Sequence, residues 1–158
     1  MISFRVKVYG NQAVVANLAA VRRYMPVAID RGLANIARHI HRRAIRLLNN
    51  KGKKGSQVPP GEYPVPVRTG HLKRSLDWLE PGESKDTEVG RFRARHGEAV
   101  VFDSARYAMA VHEGLFTHTK FGRRPYAEDA LEEFARSGGI VKELEKQVRN
   151  ELRRIRNP

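Results

Sequence analysis

Six histidines, His39, His41, His71, His96, His112 and His118, are the side chains best suited to hold a metal or move a proton in this cysteine-free chain. Their spacing does not assemble a site. His39 and His41 are two apart in a segment that reads as helix, so they point in different directions. His112-Glu113 lacks the second histidine, one turn on, that a zinc-protease helix needs. His112 and His118 flank a loop that holds a single Glu. No Gly-x-Ser-x-Gly elbow is present. Gly52-Lys53-Lys54-Gly55-Ser56 is rich in glycine and lysine, but lacks both the spacing of a phosphate loop and a strand before it. Acids are plentiful only towards the C-terminus, where helix-surface solvation accounts for them. No convergent set of catalytic roles emerges. The expectation is a protein that is not an enzyme, with no catalytic residue, metal or cofactor.

Charge is the stronger signal. The formal net charge is +13. Residues 1–61 carry twelve Lys or Arg against one acid, Asp30, whereas residues 62–158 carry eighteen basic and sixteen acidic residues. Residues 31–54 hold eight Lys or Arg and no acid. Such a segment attracts polyanions or acidic protein surfaces, and helical arginines followed by a lysine-rich loop can grip phosphates. No recognition helix, zinc finger or aromatic RNA-binding motif accompanies it, so only nonspecific nucleic-acid contact is supported.

The elements that would position these groups can be read from periodicity. Ile2, Phe4, Val6 and Val8 alternate with Ser3, Arg5 and Lys7, the pattern of a half-buried strand over 2–9. A helix follows over 12–24, with Val14, Val15, Leu18, Ala19 and Val21 on its apolar side. Pro26 suits the first turn of a second helix, over 26–48, which carries Ile29, Leu33, Ile36, Ile40, Leu47 and Leu48. Arg31, Arg38, Arg42 and Arg46 share another face of it. Residues 49–68, basic and then dense in proline, predict a flexible loop that orders on assembly. A short helix at 70–75 leads into a strand start at 75–79 and a turn at Pro81-Gly82. Residues 86–94 and 98–103 predict an antiparallel pair joined at Arg95-His96-Gly97. Residues 105–113 form a short helix or turn, and Pro125 starts a helix reaching about Phe134. After Ser137-Gly138-Gly139 comes a last helix over 140–155, with Ile140, Val141, Leu144, Val148, Leu152 and Ile155 on one stripe. The fold class is α+β: a long N-terminal helix packed on a small, largely antiparallel sheet, with C-terminal helices, all in one domain over 1–158.

A disulfide framework is excluded by the lack of cysteine, and no apolar run approaches the roughly 20 residues needed to span a bilayer. The alternating start lacks the continuous apolar stretch of a signal peptide, so assembly in the cytoplasm is the expectation.

Three segments carry a resemblance. They are Val67-Arg68-Thr69-Gly70-His71-Leu72-Lys73-Arg74-Ser75-Leu76, then Ser104 to Gly114 with Tyr107-Ala108 and Glu113-Gly114, then Arg124-Pro125-Tyr126 through Leu131. Together they resemble the neck or tail-completion family of long-tailed bacteriophages, which includes relatives of the lambda minor tail protein Z. The family's Thr-Gly-x-Leu-x-x-Ser, Tyr-Ala and Arg-Pro-Phe-like segments occur here in order, and the resemblance spans roughly residues 1–135. Two departures stand out. Leu115 and Phe116 intervene before Thr117 where the family has Glu-x-Gly-Thr, and Tyr126 stands where the family has Phe.

The resemblance implies a virion structural protein at the head–tail junction, a subunit of a homo-oligomeric ring with six-fold symmetry as the expectation. Its implied partners are the connector or head-closure ring and the tail-terminator or tail-tube proteins, with nonspecific contact to DNA in the channel and none to a membrane. Thr69, Gly70, Leu72, Ser75, Tyr107, Ala108, Glu113, Gly114 and Pro125 are then landmarks of the fold. Thr69 caps the short helix and Gly70 permits tight entry. Leu72 and Leu76 pack inward, Tyr107 and Val111 anchor their segment to the sheet, and Pro125 presets the next helix. Arg38, Arg42, Arg43, Arg46, Lys51, Lys53 and Lys54 are expected to face channel DNA or an acidic partner ring. The alternative expectation is a nonspecific nucleic-acid-binding module.

Overall fold

The computed structural model describes residues 12–48, 70–115 and 122–156, apart from the side chains of 12–15 and 17. The strand expected over 2–9 and the loop over 49–68 lie outside them. In order come α1 (Gln12–Leu47), α2 (His71–Ser75), β1 (Leu76–Leu79), β2 (Ser84–Thr87), β3 (Gly90–Arg93), β4 (Val100–Asp103), α3 (Ala108–Glu113), α4 (Tyr126–Arg136) and α5 (Gly139–Arg156). The fold is α+β, as the periodicity predicts.

The two N-terminal helices expected on either side of Pro26 are one. α1 runs for 36 residues with Pro26 inside it. A proline in a helix interior cannot donate to the carbonyl four residues back, and costs about 3 kcal/mol. What holds the helix through it is α5, which packs antiparallel along α1. Ala20 and Tyr24 before the proline and Val27 and Arg31 after it line a common groove with Glu151, Arg154 and Ile155. The second helix thus splints the first across the break.

The C-terminal half of α1 supplies one wall of the core. Ile36, Ile40, Ala44 and Leu48 are buried against Leu72, Leu76, Ala108, Tyr126, Ala130 and Phe134. The three-to-four spacing on α1 and on α4 gives each helix one apolar stripe, and the two stripes close on α2 and β1. Arg43 pairs with Glu133 and lies over the Phe134 ring, so the joint between α1 and α4 is polar at its rim.

The sheet differs from expectation. β4 does not pair with the preceding strand; it pairs antiparallel with β1, from Leu76 opposite Asp103 to Leu79 opposite Val100. β2 and β3 pair with each other around Glu88-Val89, so the segment expected as one strand over 86–94 reverses inside itself. The reversal rests on Gly90, whose φ of 131° is closed to most side chains, and on Thr87 Oγ1 donating to the Gly90 carbonyl at 2.7 Å. In β4, Val101 lies opposite Trp78 and Val100 opposite Leu79, apolar pairs that the exposed, polar β2 could not supply. Phe92 of β3 stacks on Phe102 at 4.0 Å and ties the hairpin to the other sheet. The turn at His96-Gly97 exists, but α1 holds it: Asp30 accepts the Gly97 N–H at 2.8 Å and lies 3.0 Å from His96 Nδ1. The one acid of the first 61 residues is thereby committed to a turn near the sheets.

α5 matches its expected span, but its stripe divides. Ile140 and Leu144 pack on the core, while Val141 and Leu152 are exposed. Its buried residue is Glu151, paired with Arg31. The helices approach closely at Gly32, where a Cβ would stand 2.7 Å from Leu144 Cδ2, so Leu144 occupies the space a side chain would fill.

Candidate functional site

The three resembling segments meet at one carboxylate. Asp103 ends β4, and its Oδ1 accepts from Ser75 Oγ at 2.6 Å and from the Ala105 N–H at 2.9 Å. Its Oδ2 accepts from the Tyr126 hydroxyl at 2.8 Å. Ser75 closes α2, Ala105 leads into α3 and Tyr126 opens α4, so a single side chain joins four elements. The Ser104 N–H donates to the Ser75 carbonyl at 3.0 Å and doubles the link between β4 and α2. Tyr126 is almost fully buried, and its hydroxyl is what a Phe at this position would lack. A buried hydroxyl without a partner costs about 1–3 kcal/mol, and Asp103 removes that cost.

The landmark residues serve this junction in different ways. Thr69 lies outside the described residues. The N-cap position belongs to Gly70, in the left-handed region at φ 68°, and no side chain caps the helix. Leu72 is buried beside Leu76 in the core. Ala108 is buried and Val111 packs against the same core, but Tyr107 does not anchor the segment to the sheet. It is partly exposed and tilts against the His71 ring at 5.9 Å, because α3 turns its Ala108 face inward. Gly114 terminates α3 at φ 71°, and a Cβ there would stand 2.8 Å from the Arg123 backbone nitrogen. Only glycine lets the chain before α4 lie against α3, where the Arg124 N–H donates to the Val111 carbonyl at 3.3 Å. Pro125 occupies the N-cap position of α4.

Glu113 lies 2.8 Å from His112 Nδ1 and near Arg123. The His112 hydrogen bond, opposed by slight desolvation and helped by the Arg123 and His112 charges, holds its carboxyl below the usual range. Ser75 and Tyr126 both donate to Asp103, and the Ser75 hydroxyl also faces two helix carbonyls, with no imidazole against it among the described residues. The arrangement fixes geometry: it can lock α2, β4, α3 and α4 in one relative position. Among the described residues, no three His, Cys, Asp or Glu stand where they could hold a metal ion. No helix among them is long and apolar enough to cross a membrane.

The basic face is divided by the fold. Arg38 bonds Glu80 at 2.6 Å and lies over the Trp78 ring at 5.0 Å, and Arg43 is committed to Glu133. Arg31 pairs with Glu151. Acids distant in the sequence therefore neutralise three arginines of the acid-free segment. Arg42 and Arg46, one turn apart, are exposed and have no ion pair among the described residues. Lys51, Lys53 and Lys54 lie outside them.

Set against family models, curated proteins and solved structures, the chain matches none.

Sequence reasoning passed over Asp103 and the Tyr126 hydroxyl. A signal for the first was present: an Asp just after an apolar strand and two residues before Ala105 is the pattern of a side chain that closes a turn on its own backbone. Its other two partners are 28 and 23 residues away and leave no local trace.

Proposed function

We propose that the chain is a structural subunit of a tailed bacteriophage or prophage, forming the ring that joins the head connector to the tail. The observation that carries this reading is the junction at Asp103. The three segments that resemble the neck and tail-completion family are far apart in sequence, and they converge there on shared hydrogen bonds. Landmarks that meet in space behave as one structural unit, which is what a family signature made of caps, turns and anchors requires. The job that follows is geometric. The subunit presents rigid surfaces to identical neighbours, through a heterologous contact that closes into a ring, and to the rings above and below. Six subunits coaxial with the tail are the expected count.

Within this reading Arg42 and Arg46 are the two described residues of the expected basic set left to meet channel DNA or an acidic neighbouring ring, since Arg38 and Arg43 are taken up inside the subunit. Removing the gene from a producing phage should yield filled heads and separate tails, and the purified chain, alone or with its connector, should give closed rings by native mass spectrometry and electron microscopy. Complete, infectious particles lacking the chain would end the proposal. Salt-sensitive DNA binding by a strict monomer would turn it towards a nucleic-acid-binding module.

A further inference from the structure

The β1–β4 sheet has two unlike outer edges. The Ser104 N–H donates to the Ser75 carbonyl, and Leu76 stands opposite Asp103. Antiparallel pairing then alternates, so Asp77 and Leu79 bond to Phe102 and Val100, while Leu76, Trp78, Val101 and Asp103 turn their backbone groups outward. On β1 most of those groups are taken. The Leu76 N–H donates to the Leu72 carbonyl, and the Leu76 carbonyl accepts from His41 Nε2 at 3.1 Å. The Trp78 N–H donates to Asp77 Oδ1 at 2.9 Å, and the Glu80 N–H, just beyond the strand, to Glu83 Oε2 at 2.8 Å. On β4 the backbone N–H and C=O of Val101 and of Asp103 have no hydrogen-bond partner among the described residues. Both residues are partly exposed.

An edge of this kind is a template for one more extended strand. The sequence supplies a strand pattern outside the described elements: Ile2, Phe4, Val6 and Val8 alternate with Ser3, Arg5 and Lys7. A strand alone is not stable in water and needs a sheet to join. The sheet of its own subunit is out of reach. Arg38 lies over the Trp78 ring at 5.0 Å and His41 bonds the Leu76 carbonyl, so β1, and β4 opposite it, are level with that part of α1. From Gln12, where α1 begins, the helix rises about 39 Å to Arg38 at 1.5 Å per residue. Residues 2 to 12, fully stretched, cover at most about 36 Å, and the stretch from Val6, the middle of the pattern, at most about 22 Å.

We propose that residues 2–9 of one copy add as a strand to the open edge of β4 in the next copy. The added strand satisfies the outward N–H and C=O groups of Val101 and Asp103 and buries its own apolar side against the neighbour. α1 then acts as the spacer: it holds the strand at one end and the receiving edge far along its length, so a chain that cannot serve itself serves its neighbour. Donor and acceptor are different surfaces, which makes the contact heterologous and lets it repeat from copy to copy. The inference rests on the proposed ring in requiring that copies associate, and it names the contact through which they do so. β1 cannot take the strand, because His41, Asp77 and the end of α2 already occupy its edge.

The test uses the full chain over a range of concentrations, with amide hydrogen exchange read residue by residue and mass read in the same samples. Association should slow exchange at Val101 and Asp103 by at least about tenfold, and leave the Trp78 amide, already bonded to Asp77, little changed. The double variant Arg5→Pro/Val6→Pro removes a ladder donor from each edge of the added strand. It should abolish that slowing and weaken association at least about tenfold, with the melting curve of the monomer unchanged. A synthetic peptide of residues 1–10, added to this variant, should restore slow exchange at Val101 and Asp103, and the same peptide with both prolines should not. Copies that associate while both amides still exchange freely would overturn the strand contact and leave the ring standing, as would a proline variant that assembles like the natural chain. Slow exchange at both amides in a dilute monomer would assign the edge to the same chain and overturn it as well. So would a chain that stays monomeric at every concentration. Open chains of copies with both amides protected would keep this inference and end the closed ring.

Discussion

The two ends of α1 carry similar sequence patterns and meet different fates. From Leu33 to Leu48 the helix is enclosed by α2, β1, α4 and the start of α5, and its apolar residues are core. From Leu18 to Arg31 its main neighbour is the last half of α5, and Tyr24, Val27 and Ile29 remain partly exposed. Apolar spacing of three and four residues states that a stripe exists; the number of elements that reach it decides whether the stripe is core or surface. At the enclosed end Arg38 and Arg43 are matched inside the subunit, by Glu80 and Glu133. At the open end Arg31 is matched by Glu151, and the apolar side chains of Tyr24, Val27 and Ile29 stay partly in water.

The largest effect expected of this contrast is at Asp103. Asp103→Ala takes the carboxylate acceptor from the Tyr126 hydroxyl and the Ala105 N–H, leaves Ser75 only its helix carbonyls, and should cost about 2–3 kcal/mol, read by urea unfolding followed through the single tryptophan, Trp78. Val27→Ser at the open end should cost less than about 1 kcal/mol in the same assay. Comparable losses at the two positions would abolish the distinction between the ends.

Pro26 lies between the two ends and tests whether they belong to one helix. If α5 splints α1 across a missing hydrogen bond, Pro26→Ala restores the bond and should raise stability by up to about 3 kcal/mol. Two separate helices with Pro26 at a first turn would show no gain. Gly139 is the point where α4 hands over to α5, and a Cβ there would stand 2.3 Å from the Phe134 ring. Gly139→Ala should force that ring to move and cost about 1–3 kcal/mol, with the loss recovered in part by a smaller residue at position 134.

The smallest effect is in acid. Partial burial works to raise the Asp77 carboxyl, but the Lys85 hydrogen bond, the Trp78 N–H and the charges of Lys85 and His41 outweigh it, so its pKa is lowered. Glu143 behaves alike: desolvation is outweighed by hydrogen bonds from Gln147 and Asn35 and by the charges of Lys146 and His39. A carboxylate with a lowered pKa in the fold stabilises it above its unfolded pKa, and that contribution is lost as pH falls through the folded value. Melting temperature should therefore be flat at neutral pH and decline below about pH 4.5, where unfolded carboxyls begin to protonate. Asp77→Asn should flatten the decline on the sheet side and Glu143→Gln on the α1–α5 side. A decline that neither variant alters would place the acid response elsewhere.

Much of the architecture was legible in the chain. The 3.6-residue stripes marked α4 and α5 to within a residue or two, and Gly114 marked the end of α3 and Pro125 the start of α4. Where reading failed, a non-local partner had prevailed over a local rule. Pro26 reads as a helix start until α5 spans it. Residues 86–94 read as one strand until β1 takes β4 and leaves the hairpin to pair with itself. Tyr107 reads as an anchor until Ala108 proves to be on the inward face.

Composition and periodicity by themselves determined the fold class, the number of helices after the sheet and the excess of positive charge, because these follow from local propensity and from counting. Which charges remain free was decided only by the tertiary structure. Ion pairing and burial depend on distance in space, and Arg31, Arg38 and Arg43 meet acids 120, 42 and 90 residues away. The same folding step gathers three separated motifs on Asp103.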